Sequence, residues 1–498
     1  MNASSNFFTL IKNNRSNRLI YLLLAILILM RIVFTYFMGM MPQDAYYFFY
    51  SEHLSLSYFD HPPVIAYLLR FFTTIFGQTS FAIKLADLTI TGLTIISFYH
   101  LCKCFLKGQS LTNAVVLLLS TFMVTILSLV TTPDVPLLLF WTLSILTLYK
   151  AIFQEKKWYW LWSGLMMGLA FDSKYTAILL PLGASFFLLI SKPYRKYLLS
   201  KWYWLAAIIF LLTISPVIIW NIQHDFVSIR FQTTNRAESV RHFTINIKYF
   251  LGVIGHQAAI LIPVLFFGLV AFLYKAFRRT KWHGQQIATP QLFLLCFFLP
   301  TFLFFFGVSF FIWVKLNWLM PAYITGIIWV SRFFTKKWIR IQVIVSFIIH
   351  CALAIELIFY IFPVKSDDTW FGWKKLSKQV EKIQTEHPDA FVFSADGYKT
   401  SAVLNFYLTK KVYYQNVIGQ KALELDYVEN NLPALAGKNA IFLDSDPQGT
   451  DAQKAKSYPK RLDQYFTNVE QLQPILIKNN GKTVRKFFVY YCTAYQPK

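Results

Sequence analysis

The stretch LIYLLLAILILMRIVFTYFMGMMPQDAYYFFYSEHLSLSYFDHPP, residues 19–63, decides how the whole chain is read. Its first part, residues 19–40, is an apolar run of about twenty residues, the length that crosses a bilayer as a helix. It is too long for the apolar core of a cleavable leader and has no small-x-small cleavage site before the polar segment that follows, so it reads as a first transmembrane helix. One ionisable residue, Arg31, lies within it. Such a group is costly in lipid and is usually paired or functional. A buried ion pair with Asp87 is the simpler expectation, direct contact with a substrate the alternative. The second part is a loop rich in tyrosine that contains Asp44, Glu52 and Asp60.

The same alternation continues along the chain. Ten further apolar runs, residues 80–101, 111–130, 135–149, 158–171, 175–190, 202–220, 249–274, 291–312, 318–330 and 341–362, bring the candidates to eleven. With 56% hydrophobic side chains, 18% aromatics, 14% charged residues and a mean hydropathy of +0.45, the composition lies outside that of soluble domains. A formal charge of +24 suggests nucleic acid at first sight. The basic residues recur instead in short clusters between apolar runs, and no nucleic-acid partner is expected. Alternate connections are basic, as at Lys103/Lys107, Lys192/Arg195/Lys196 and Lys275/Arg278/Arg279, and those on the other side contain Asp44, Glu52, Asp60, Asp134, Asp172 and Asp225. Basic residues stay in the cytoplasm, so the N-terminus reads as cytoplasmic and the C-terminal tail as external. The membrane is then the cytoplasmic (inner) one, and the carboxylates collect on its outer face.

The segment 41–79 is long for a connection and includes a second apolar run, residues 64–76, interrupted by Arg70. About 13 residues do not span a bilayer, so this piece is expected to lie along the interface or re-enter the protein. After residue 362 the composition turns polar. Residues 372–387 have helical spacing, 391–393, 439–443 and 486–491 read as strands, and Asn479-Asn480-Gly481 between 475–478 and 483 onward reads as a hairpin turn. The expected organisation is a membrane domain, residues 1–364, and a small external α/β domain, residues 365–498. Five cysteines, two of them within apolar runs, form no disulfide framework. No Walker loop, dinucleotide fingerprint or internal repeat is present, so chemistry at the outer face would draw an activated group from a membrane-bound carrier.

Several polar residues are placed to do such chemistry. Transfer to a hydroxyl needs a carboxylate for the acceptor proton and a counter-charge for a departing phosphate. Asp44 is the first candidate base; an N-cap of a helix starting at Ala45 is the alternative. Asp134, in Thr131-Thr132-Pro133-Asp134-Val135-Pro136, is the second, again with a cap as the alternative. Lys174, in Asp172-Ser173-Lys174-Tyr175, either binds phosphate or pairs with Asp172. Asp60 and His61 are candidates for substrate contact and admit a divalent metal, ordinary hydrogen bonding being the plainer reading. Arg230, Arg236 and Arg241 break the positive-inside trend, and arginine forks suit phosphate oxygens; attraction to lipid headgroups is the alternative.

These motifs together resemble the bacterial branch of the dolichyl-phosphate-mannose protein mannosyltransferase superfamily, which includes the lipid A aminoarabinose transferase and has the C-type glycosyltransferase fold. The likeness rests on Asp44-Ala-Tyr-Tyr47, Tyr58-Phe-Asp-His-Pro-Pro63, Pro133-Asp134-Val-Pro136, Ser173-Lys174-Tyr175, Trp220-Asn-Ile-Gln-His-Asp225 and Lys315-Leu-Asn-Trp318. Asp396-Gly397-Tyr398 and Leu404-Asn-Phe-Tyr407 add a weaker likeness in the tail. The resemblance implies a polytopic α-helical membrane protein of roughly 11–13 transmembrane helices. It also implies an inverting glycosyltransferase with a polyprenyl-phosphate sugar donor and an envelope acceptor: lipid A, another glycan or protein. By position, Asp44 would be the principal catalytic carboxylate and Asp134 its partner, with Tyr58, Asp60, His61, Lys174, Arg236 and Arg241 around the donor phosphate. Asp60-His61 stands where the aminoarabinose transferase has a Glu-Lys pair. That difference weakens a permanent phosphate contact and points away from that enzyme. An O-antigen ligase or polymerase using a diphosphate carrier, and a lipid or sugar transporter, are the rival classes.

Overall fold

The computed structural model describes residues 15–235, 244–283, 287–428, 431–447 and 460–498. In the membrane part the helices are α1 (Arg15–Phe37), α2 (Pro42–Glu52), α3 (Val64–Phe76), α4 (Ser80–Phe105), α5 (Gly108–Leu119), α6 (Phe122–Leu129), α7 (Asp134–Phe153), α8 (Trp158–Phe171) and α9 (Leu179–Ile190). They continue as α10 (Lys201–Thr213), α11 (Ser215–Gln223), α12 (Val227–Arg230), α13 (Ile247–Leu261), α14 (Pro263–His283), α15 (Thr289–Val308), α16 (Met320–Val330) and α17 (Lys336–Phe359).

All eleven apolar runs are helical, but they are not eleven straight spans. Among the described residues five helices are long and apolar enough to cross a membrane, α1, α4, α7, α15 and α17. Counting each bent pair as one span gives up to eight: α5 with α6 bent by 50°, α10 with α11 by 45°, and α13 with α14 by 114°. The physical reason is burial. All eleven residues of α16 are buried, so its apolarity answers to protein on every side and not to lipid, a difference hydropathy does not register. The chain is a multi-pass membrane protein.

Each break exposes backbone polar groups that need partners in a medium without water. Between α5 and α6 the carbonyls of Leu119 and Thr121 accept from the Arg31 guanidinium at 2.8 and 3.1 Å, and Arg31 Nε donates to Thr125 Oγ1 at 2.9 Å. Arg31 is therefore held by neutral oxygens of a broken helix and not by Asp87, whose carboxylate takes the Thr131 hydroxyl at 2.6 Å. At the α13–α14 break Ile262 has φ +67°. The Gln342 amide of α17 accepts from Leu265 N at 3.0 Å and donates to Leu261 O at 2.9 Å. Gly164 and Gly168, one turn apart on α8, let α10 approach; a Cβ on Gly164 would lie 2.3 Å from Ala206 O and one on Gly168 2.4 Å from Thr213 Cβ.

α3 is the short apolar segment of the first loop, with Ile65, Ala66, Leu69, Phe72 and Thr73 buried at helical spacing and Phe71, Ile75 and Phe76 exposed. The polar tail folds as α18 (Trp373–Glu386), β1 (Phe391–Ser394), α19 (Lys399–Tyr407), β2 (Val412–Tyr413), β3 (Ala440–Asp446), β4 (Phe466–Gln471), β5 (Ile475–Asn479) and β6 (Lys482–Tyr495). Strand order is β2-β1-β3-β6-β4, with β5 also on β6; β1 is parallel to β2 and β3, and β6 is antiparallel to its neighbours. The β5–β6 turn has Asn480 at φ +47° and Gly481 at φ +79°, the backbone that an Asn-Gly hairpin requires. One hydrophobic cluster joins Tyr46, Tyr50, Ile65 and Leu69 of the first loop to Trp373, Leu404 and Ile441 of the tail. The change of composition near residue 365 is thus no gap in packing.

Candidate active site

The Pro133-Asp134-Val-Pro136 motif starts α7, with Pro133 as N-cap and Asp134 in the first turn. Prolines are tolerated here because the first amides of a helix have no intrahelical acceptor. Asp134 is thus inside the first turn and not at the N-cap. Its carboxylate accepts from Lys174 Nζ at 2.8 and 2.9 Å and from the Asn317 side-chain amide. Lys174 follows α8, where its backbone N–H donates to Ala170 O at 3.0 Å. Its partner is therefore Asp134 rather than its near neighbour Asp172. Asn317 sits in the turn that leads into α16. That segment is supported from behind, since Gln257 donates to Leu316 O at 3.1 Å and Tyr323 donates to Gln257 at 2.8 Å.

These groups line a cavity of about 410 Å³. Asp134, Lys174, Lys315, Asn317 and His61 form its polar side. Ile126, Leu127 and Val130, at the end of α6, and Phe305 of α15 are among its apolar lining residues. Tyr398 of the tail also lines it, stacked on Tyr46 with ring centres 4.3 Å apart. The C-terminal tail is thus part of the wall.

Asp44 lies beside this cavity, next to cavity-lining Gln43. The helix that holds it begins at Pro42 with Met41 as N-cap, so Asp44 stands at the third helical position and not at a cap before Ala45. One oxygen accepts from Met41 N at 2.8 Å and from Lys84 Nζ, and the other accepts from Thr131 N at 2.8 Å. Both Asp44 and Lys84 are fully buried. Lys84 also donates to Leu129 O, so the pair ties α2 and α4 to the turn that leads into Asp134. The segment after α1 and the turn before α7 meet through this contact.

Asp60 and Tyr58 lie in a second buried layer. Asp60 accepts from the hydroxyls of Tyr46, at 3.0 Å, and Tyr50, and its backbone oxygen accepts from Gln232, which lines the cavity, at 2.7 Å. Tyr58 stacks on Tyr50 at 4.1 Å and donates to Tyr50 O at 3.0 Å. Glu424, from the tail, accepts from Phe59 N at 2.5 Å. Burial pushes the Glu424 carboxyl up to about 8; the Phe59 bond opposes the shift and the Asp60 charge adds to it. Asp60 is raised by burial too, against the pull of its tyrosine donors. Among the described residues no three His, Cys, Asp or Glu side chains form a metal-holding group. With its carboxylate taken by two hydroxyls, Asp60 beside His61 does not fit a divalent-metal site.

Of the residues singled out in the sequence, Asp134, His61 and Lys174 line the cavity, while Asp44, Asp60 and Tyr58 are buried close by. Arg236 and Arg241 lie outside the described residues. Lys84 and Gln232 carried no motif. The signal for Lys84 was available: a lysine three residues before Asp87 in an apolar run is rare without a partner.

The family model described as Dolichyl-phosphate-mannose-protein mannosyltransferase matches residues 60–220, a stretch that contains Lys84, Asp134 and Lys174. Lipid A galacturonosyltransferase RgtD from Rhizobium johnstonii is 24% identical over 301 residues, 59% of this chain. The match spans 60% of that relative's length. Among solved structures, ArnT from Cupriavidus metallidurans bound to undecaprenyl phosphate superposes with a TM-score of 0.64 at 12% identity, covering 96% of this chain and 98% of that one. The Archaeoglobus fulgidus oligosaccharyltransferase in its apo form follows with a TM-score of 0.50 at 11% identity, over 80% of this chain and 64% of its own. The structural likeness gives the fold, which this chain shares with ArnT and with the oligosaccharyltransferase, and over residues 60–220 the chain is similar to the dolichyl-phosphate-mannose-protein mannosyltransferases.

Proposed function

We propose that this protein is a glycosyltransferase of the cytoplasmic membrane that moves a sugar from a polyprenyl-phosphate carrier to an envelope acceptor at the outer face, with lipid A the first candidate acceptor. The observation that carries this reading is the Asp134–Lys174–Asn317 cluster in a cavity that Ile126, Leu127, Val130 and Phe305 also line. A carrier has two parts to match, an isoprenoid for the apolar lining and a phosphate for the cations. The undecaprenyl phosphate bound to the ArnT structure supports the carrier class, and the lipid A galacturonosyltransferase supports the acceptor.

In the proposed reaction the acceptor oxygen forms a bond to the anomeric carbon from the face opposite the phosphate. The bond from that carbon to the phosphate oxygen breaks, and its electron pair leaves with the polyprenyl phosphate. Asp134 receives the acceptor proton, and Lys174 and Lys315 offset the charge left on the phosphate. Backside displacement inverts the anomeric centre. Asp44 serves the transfer through Lys84 and the Thr131 amide, which set the turn that presents Asp134. For Asp44 to take the proton itself, Lys84 would have to leave it. Asp60, His61 and Tyr58 frame the donor side. The N-terminus lies in the cytoplasm and the tail outside, so donor and acceptor meet at the external end of α7.

The test is transfer by the purified full-length protein from undecaprenyl-phosphate sugars to lipid A, read by mass spectrometry, with diphosphate-linked donors alongside. Turnover with monophosphate donors that disappears in Asp134→Asn supports the reading. Turnover confined to diphosphate donors would assign the ligase class instead, and an undiminished Asp134→Asn would remove the site.

A further inference from the structure

A second groove lies at the other end of the bundle. One cavity, of about 350 Å³, is lined by Lys275 and Arg279 of α14 under Trp329 and Phe333. Another, of about 480 Å³, runs back along α14 to Val264 and Pro263, with Phe334 and Trp338 as its far side. Phe272 and Lys275 line both, so the two form one groove with a basic head and an apolar stem. Gly268 lets the stem close on itself, since a Cβ there would lie 2.6 Å from Phe334 Cζ.

α16 fixes where this groove stands. Met320, at its start, lines the candidate active site, and Trp329, near its end, lines the groove. Lys275 and Arg279 are one turn apart, on one side of α14. Both are exposed, and among the described residues no Asp or Glu lines either cavity. The Lys275 ammonium sits 5.3 Å from the Phe272 ring centre. From Val264 to Lys275 the helix rises about 16 Å. That is close to half of a hydrocarbon core of about 30 Å, the depth of one leaflet.

The geometry points to a binding site for one anionic phospholipid, its phosphate against Lys275 and Arg279 and one acyl chain in the stem between α14 and the Phe334–Trp338 segment. Two cations without a facing carboxylate attract a net negative headgroup and oppose the ammonium of a zwitterionic one. The stem requires a chain, which inorganic phosphate lacks. This site is independent of the proposed transfer reaction.

Native mass spectrometry of the full-length protein, titrated with phosphatidylglycerol or phosphatidylethanolamine of identical chains, reads the site. One phosphatidylglycerol is expected to be retained per protein, with a preference of about tenfold or more, the order that two interfacial cations supply. Lys275→Ala with Arg279→Ala is expected to erase the preference at an unchanged melting temperature. Lys275→Gln with Arg279→Gln provides the same reading if the alanine pair does not fold. Ala271→Trp, which fills the stem, is expected to weaken retention of both lipids. Equal retention of the two lipids by the unaltered protein, a preference that survives the double substitution, or displacement by millimolar inorganic phosphate would each overturn the assignment.

Discussion

Asp44 meets Lys84 and Asp134 meets Lys174, each pair separated by forty residues in the chain, and the two pairs differ in the origin of their remaining donors. Asp44 takes backbone amides from Met41 and Thr131, which cannot turn away without moving α2 or the turn before α7. Asp134 takes side-chain donors only, Lys174 and Asn317, and both line a cavity. Side-chain arms can swing toward a ligand, whereas a carboxylate bound by main chain is a knot. Identical ion pairs thus do different work according to what fills their other lone pairs.

The largest expected effect separates the pairs by activity. Asp134→Asn should lower turnover by at least about 10²-fold, the scale of a lost proton acceptor, and, since the new amide oxygen still accepts from Lys174, should lower the melting temperature less than Asp44→Ala does. Asp44→Ala should act first on folding. It leaves the Lys84 ammonium buried without its partner, a loss of about 3–5 kcal/mol, seen as a lowered melting temperature. Asp44→Leu combined with Lys84→Met should recover most of that stability. Transfer by this double variant within about tenfold of the unaltered protein would make Asp44 a positioning residue, and a stable but inert protein would make it the base.

The contact between tail and first loop adds a pH test. Glu424 ordinarily titrates near 4.5 and is pushed up to about 8 when docked, with Asp60, Tyr46 and Tyr50 facing it. As pH rises above the lower value, the undocked carboxyl gives up its proton while the docked one keeps it. The contact therefore weakens progressively until the docked group titrates too. Hydrogen exchange of residues 421–428, corrected for intrinsic rate, should show less protection at pH 9 than at pH 6, and Glu424→Gln should flatten the difference. The smallest effect is expected from Tyr398→Ala. Loss of its ring from the cavity wall and from Tyr46 should raise KM by several-fold, on the order of 1 kcal/mol, with kcat little changed.

The sequence told most where physics is local. Each apolar run became helix, and the Asn480-Gly481 turn joined the strands it was read to join. It told less where partners come from far away. Nothing in the run around Arg31 announces that carbonyls 88 and 90 residues later will hold it, and nothing near Asp44 announces Lys84. Asp134 and Lys174 were legible as chemistry because each stands in a polar motif between apolar runs; their contact with one another was not. α16 shows the remaining limit: hydropathy reports that a segment avoids water, not whether lipid or protein replaces it.

The Gln342 amide has a bearing on how the protein is assembled. It completes the main-chain bonding of Leu261 and Leu265, which precede it by 81 and 77 residues. Leu265 N also donates to Ile262 O at 3.1 Å, so the group at the 114° bend that gains most from Gln342 is the Leu261 carbonyl, in a medium where an unpaired polar group costs several kcal/mol. Because α17 follows residues 247–283 in the chain, the bend reaches its full main-chain bonding only once α17 has packed against it.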